Sequence, residues 1–110
     1  MKEIRITEKQ FAQQVIQLLQ LCGFDLIYRT WNSIHSPKGF PDIVALRVKD
    51  ERLLFAELKS DKGKVTDEQV EWITVLRQIG QEVYIWRPVD WDSIVGICQR
   101  PHPYQEEAID

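Results

Sequence analysis

At 110 residues, with 44% hydrophobic and 28% charged side chains, the chain has enough material for one globular core and little for a second module. No apolar run approaches the ~20 residues of a membrane span. A formal net charge of -3 argues against a nucleic-acid partner.

The elements follow in order. Thr7 with Gln10 has the spacing of a capping box, and Phe11, Ala12, Val15, Leu18, Leu19 and Cys22 recur at helical period. Gly23 ends that helix. Phe24 to Tyr28 reads as a short strand, and Trp31 to Phe40 as a loop rich in turn formers. Asp42 to Val48 and Arg52 to Lys59 read as strands joined by a hairpin turn at Lys49-Asp50-Glu51, with Ser60 to Lys64 a polar loop behind them. Thr66 with Gln69 opens a second helix to Ile79, with Val70, Ile73, Leu76 and Ile79 as its apolar stripe. Gly80 closes it, Gln81 to Arg87 is a strand, and Asp92 to Cys98 a short last helix before a polar tail. The order is α-β-β-β-α-β-α. Strands 53–58 and 83–87 flank a helix, so they are expected to pair in parallel within a mixed α/β sheet.

Cys22 and Cys98 lie far apart with no metal-binding spacing, and are read as buried free thiols, with a disulfide as the alternative. The N-terminus lacks the apolar stretch of a signal peptide, so a cytoplasmic protein is expected. Charge is unevenly spread. Residues 29 to 64 hold eight Lys/Arg and five Asp/Glu, the remainder six and twelve. That is either a locally basic face suited to phosphates or an ordinary solvated surface.

The chemistry concentrates between Gly39 and Lys59. Strand period puts Glu57 and Lys59 on one face with Phe55, and a hairpin centred on residues 49 to 51 brings Asp42 opposite them. Charges inside an apolar strand are costly unless paired or metal-bound. One reading is a structural ion pair of Lys59 with Glu57 or Asp42. The other is a site: two carboxylates and the Leu58 carbonyl are hard oxygen ligands suited to Mg2+ or Mn2+, with Lys59 placed to orient a water and to stabilise charge on a phosphoryl group. No serine or cysteine nucleophile is arranged for covalent chemistry.

Pro41-Asp42 followed by Glu57-Leu58-Lys59 resembles the motif of the PD-(D/E)xK nuclease superfamily. Lys38 to Val44, Phe55 to Lys59, Gly63 to Gln69 and Gly80 to Pro88 extend the likeness to the VRR-NUC family in its small stand-alone form, over about residues 8 to 95 of a single domain. The resemblance implies a restriction-endonuclease-like core and a metal-dependent DNA endonuclease selective for branched DNA such as Holliday junctions, acting as a homodimer. It implies Asp42 and Glu57 as metal ligands, Lys59 as the catalytic lysine, Gln69 as a supporting residue, and Glu8 as the acidic residue that this family often places on the first helix. A helix-start carboxylate complementing the dipole is the other account of Glu8. Arg29, Ser36, Lys38, Lys62 and Lys64 are the expected phosphate contacts; His35 is a weaker one, and no tryptophan is assigned to DNA. The competing functions are a non-catalytic DNA-binding or assembly module on the same fold, and a repair or restriction nuclease that needs a partner.

Overall fold

The computed structural model describes residues 6–30 and 37–103. Helix α1 (Glu8–Leu21) starts at a closed capping box: the Thr7 hydroxyl accepts from Gln10 N–H at 3.0 Å while the Gln10 side chain accepts from Thr7 N–H at 2.8 Å. After it come β1 (Leu26–Arg29), β2 (Ile43–Arg47), β3 (Arg52–Leu58), α2 (Asp67–Gln78), β4 (Glu82–Trp86), a single 3-10 turn (Pro88–Asp90) and α3 (Trp91–Gln99). The expected order holds, with boundaries moved by one or two residues and the 3-10 turn added. The strands form one sheet ordered β1-β2-β3-β4; β1, β2 and β3 are antiparallel neighbours, and β3 pairs with β4 in parallel.

Alternation along the strands gives the sheet two unlike faces. Ile43, Ala45, Leu54, Ala56 and Trp86 point to the face covered by α1 and α3, where Phe11, Val15, Leu19, Ile94 and Cys98 complete the core. Phe55, Glu57 and Val83 point to the face under α2. There Phe40 packs edge-on against both Phe55 and Trp72. Helix α2 covers only the β3–β4 half of that face, so Leu26, Tyr28 and Leu46 remain 67%, 52% and 38% exposed.

Two expectations change here. The apolar stripe of α2 is not covered along its length: Ile73 is buried, but Val70 and Ile79 are exposed, and Trp72 makes the helix's aromatic contact instead. The basic segment also loses two of its cations to the interior. Arg47 and Arg52 are 2% exposed. The Arg47 guanidinium binds Asp50 through two nitrogens and donates to the carbonyls of Cys22, Cys98 and Arg100; Arg52 binds Glu82 and the same Arg100 carbonyl. Both guanidinium groups lie over the Phe24 ring. The carbonyl groups orphaned at the ends of α1 and α3 thereby find donors from the β2–β3 hairpin. The cysteines are free thiols, Cys98 buried and Cys22 only half-buried.

Candidate active site

The segment leading into β2 is set against α2 before it reaches the sheet. Gly39 has φ of 90°, and a β-carbon there would lie 2.5 Å from the Glu68 carbonyl group and 2.8 Å from Gln69 N. Only glycine permits this approach. Pro41 is buried, and its carbonyl accepts from the Thr30 hydroxyl at 2.6 Å; the Asp42 carbonyl accepts from Thr30 N–H at 2.8 Å. The Asp42 backbone is therefore anchored to the end of β1.

Register then decides what Asp42 faces. Ile43 pairs with Ala56, which puts Asp42 opposite Glu57. The Asp42 Oδ2 accepts from Leu58 N–H at 2.8 Å. Glu57 is 2% exposed, and its Oε2 accepts from the Gln69 amide at 2.9 Å, with the Lys59 ammonium 3.8 Å away. Gln69 closes the Thr66 capping box through its Oε1 while its amide nitrogen reaches Glu57. The strand motif and the cap of α2 meet at one carboxylate.

Burial pushes the Glu57 carboxyl far above the usual carboxylate range, to about 8. The neighbouring Asp42 raises it further, as a charge and as an acceptor for its proton; Lys59 pulls the other way, and Glu8 adds a smaller rise. Among the described residues no group donates a hydrogen bond to the other oxygen, Oε1, which is buried. A buried carboxylate with an orphaned oxygen beside a second carboxylate is a poor ion pair for one lysine. It suits a hard divalent cation, which would partner Oε1 and relieve the repulsion between Asp42 and Glu57. The donor set is oxygen-only. Among the described residues no three His, Cys, Asp or Glu side chains gather closely enough to hold an ion by themselves. Glu8 stands exposed in the first turn of α1 and reaches Glu57 through its charge.

The expected phosphate contacts are more dispersed. Arg29 ends β1 and is exposed; Lys62 and Lys64 are exposed on the loop after β3. Lys38 is exposed and sits 3.9 Å from Glu68. Ser36 and His35, like Trp31, lie outside the described residues. Trp86 is buried in the core and Trp72 packs on Phe40. Gly39 reads from the sequence as a turn former at the start of the Gly39–Lys59 segment; its close approach to the first turn of α2 is what the sequence does not show.

Comparison with known proteins decides the family. The VRR-NUC domain matches residues 6–90, most of the chain. The chain belongs to the VRR-NUC family. It is therefore a nuclease-family domain, and its mixed sheet flanked by helices recurs in solved structures of that kind. One, described as a VRR-NUC domain protein, superposes with a TM-score of 0.67 at 19% identity, over 90% of this chain and 88% of its own. Another, the Holliday junction resolvase Hjc from Archaeoglobus fulgidus, a hyperthermophilic archaeon, has a TM-score of 0.51 at 28% identity over 71% of this chain and 66% of its own. Among curated proteins none matches.

Proposed function

We propose that this VRR-NUC domain is a Mg2+- or Mn2+-dependent DNA endonuclease that hydrolyses phosphodiester bonds in branched DNA, such as a four-way junction. The observation that carries the proposal is the meeting of Asp42 and Lys59 at the buried Glu57, whose Oε1 receives no hydrogen bond from the described residues. The likeness to a Holliday junction resolvase supports the choice of substrate.

Asp42, Glu57 and the Leu58 carbonyl are the groups that would hold the ion, with Glu8 adding negative charge from the α1 side. When bound, the ion supplies a Lewis acid for a phosphoryl oxygen and acidifies water. The chain's own residues do the rest. Leu58 N–H fixes the Asp42 carboxylate, and the Gln69 amide fixes that of Glu57. Lys59, whose side chain is 15% exposed at the edge of the cluster, keeps its ammonium available to orient a water and to stabilise charge on the phosphoryl group. Arg29, Lys38, Lys62 and Lys64, with Ser36, are the proposed contacts to the DNA backbone. Cutting two strands symmetrically calls for two sites about a two-fold axis, so the working unit is proposed to be a homodimer in a cytoplasmic setting.

The test incubates the protein with labelled four-way junction, flap, single-stranded and duplex DNA, with Mg2+, Mn2+ or EDTA. Metal-dependent cutting, strongest on the junction and abolished in Asp42→Asn and Lys59→Ala, is expected. Binding without cutting under either metal would replace this reading with a non-catalytic DNA module. Equal cutting of all four substrates would end the branched-DNA assignment. Sedimentation of the free protein and the junction complex tests the dimer.

A further inference from the structure

The chain leaves β3 at Leu58 and must reach the cap of α2 at Thr66 through a short loop. Lys59 continues the ladder, its N–H donating to the Trp86 carbonyl at 2.9 Å. The chain then folds into a tight turn closed by Gly63 N–H on the Ser60 carbonyl at 3.2 Å. The stem of Lys59 lies along this turn. Its Cδ is 3.6 Å from the point where a β-carbon on Gly63 would stand. The Gly63 end of the turn thus runs beside the Lys59 stem, whose ammonium stands 3.8 Å from Glu57 Oε2.

This turn belongs to no helix or strand, and the segment just beyond β4 holds it in place. Arg87 Nη1 donates to the Ser60 carbonyl at 2.6 Å and to the Gly63 carbonyl at 2.7 Å. Val89 N–H donates to Asp61 Oδ1 at 2.9 Å. Arg87 is itself fixed by its N–H to Asp90 Oδ2 at 3.1 Å. A guanidinium that bridges two carbonyl groups makes charge-assisted hydrogen bonds in a rigid, planar geometry.

We propose that Arg87 is a positioning residue for Lys59. It rests on the nuclease reading of Lys59 and adds a residue to it. The contacts run from the guanidinium to the Ser60–Gly63 turn, from the turn to the lysine stem, and from the stem to the ammonium beside Glu57. Without Arg87 the turn loses two of its clamps and Lys59 samples a wider range of positions. The metal-binding carboxylates, held by Leu58 N–H and Gln69, stay in place.

The experiment compares the full-length wild type with Arg87→Ala and Asp61→Ala on labelled four-way junction DNA. Single-turnover and steady-state cleavage are measured with Mn2+, and DNA affinity with EDTA. Arg87→Ala is expected to lower the cleavage rate constant roughly 10- to 100-fold, the scale of a misplaced catalytic group. Its DNA Kd should stay within about two-fold of wild type. Asp61→Ala, which removes the acceptor for Val89 N–H and leaves Arg87 in place, should give a smaller loss of the same kind. Native-state trypsin cleavage after Lys62 and Lys64 should speed up in both variants, a readout independent of catalysis. A wild-type cleavage rate in Arg87→Ala, a loss of affinity that accounts for the whole drop, or unchanged trypsin rates would overturn the proposal. Should Arg87→Ala fail to fold, Asp61→Ala decides by the same criteria. A wild type that cuts no DNA sinks the proposed function, whereas normal wild-type cutting with an inert Arg87→Ala substitution sinks this inference alone.

Discussion

Glu57 is the residue on which structure and chemistry conflict. Buried beside Asp42, its carboxyl is pushed up to about 8, so in the metal-free protein folding must take up a proton at neutral pH. A folded-state value above the unfolded one gives stability that is complete below about pH 4.5 and is lost as pH rises towards 8. Metal-free wild type is therefore expected to melt at progressively lower temperature from about pH 5 to pH 8. Glu57→Gln removes the titration and keeps an acceptor for Gln69. It should flatten that slope and be more stable at pH 8, within the ~1–4 kcal/mol typical of replacing a buried charge. The same variant should cut no DNA and gain nothing from added Mn2+, whereas Mn2+ should restore the wild type at pH 8. Calorimetric melting across pH, with EDTA or Mn2+, checks all three; a Glu57→Gln variant less stable than metal-free wild type at pH 8 would mean that the charge is structural. At this scale much of the site was legible. Asp42, Glu57 and Lys59 follow from the period of two in a strand and the position of the hairpin turn. The burial of Arg47 and Arg52 was not legible, because their partners are backbone carbonyls at distant helix ends, and such partners leave no pattern in the sequence.

Between elements, the decisive contact joins the β1–β2 connection to the first turn of α2. The two capping boxes and the β2–β3 hairpin are local features and were readable from spacing alone. The placement of α2 was not, since a stripe of apolar residues shows which face is greasy and not how much sheet lies beneath it. The helix sits on the β3–β4 half and is located by Phe40 against Trp72 and by Gly39 against the Glu68–Gln69 backbone. Gly39→Ala would place a β-carbon 2.5 Å from backbone atoms that cannot swing aside, at a φ that penalises any side chain. Overpacking and backbone strain together predict a loss of about 2–4 kcal/mol, roughly 10 °C or more in melting temperature for a domain of this size. If part of the variant remains folded, the retreat of Gly39 carries Asp42 away from Leu58 N–H and parts Gln69 from Glu57, so cleavage should fall further than the folded fraction explains. Gly63→Ala is the control: there the nearest atom is the Ser60 hydroxyl, which can rotate away, so a melting temperature close to wild type is expected.

Over the whole molecule, the site lies at one end of the β2–β3 hairpin and the arginine cluster at the other. Arg47 ties the hairpin turn, through Asp50, to the ends of α1 and α3; His102 N–H adds a further bond to Asp50 at 3.0 Å. The ladder that holds Asp42 opposite Glu57 is thus fixed at its far end by a buried ion pair. Hydrogen bonds and charge from Arg47 bring the Asp50 carboxyl from 3.8 down to about 2, against the opposing effect of burial. A depressed carboxylate gives stability that is present above about pH 4 and disappears as pH falls through about 2, worth of the order of 2 kcal/mol. Acid unfolding of the wild type should therefore include a steep component between about pH 4 and pH 2. Asp50→Asn should remove this component and lower stability at pH 7 by about the same amount, leaving Arg47 with its three carbonyl partners. The loss should appear as fraying at the hairpin turn and the ends of α1 and α3, read by faster amide exchange at Val48, Cys22 and Arg100, while the exchange of Leu58 N–H near the site stays slow. An Asp50→Asn variant whose acid transition matches the wild type would show that Asp50 does not carry this stability. Faster exchange at Leu58 in the same variant would show that the two ends of the hairpin are coupled and that the arginine cluster supports the site directly.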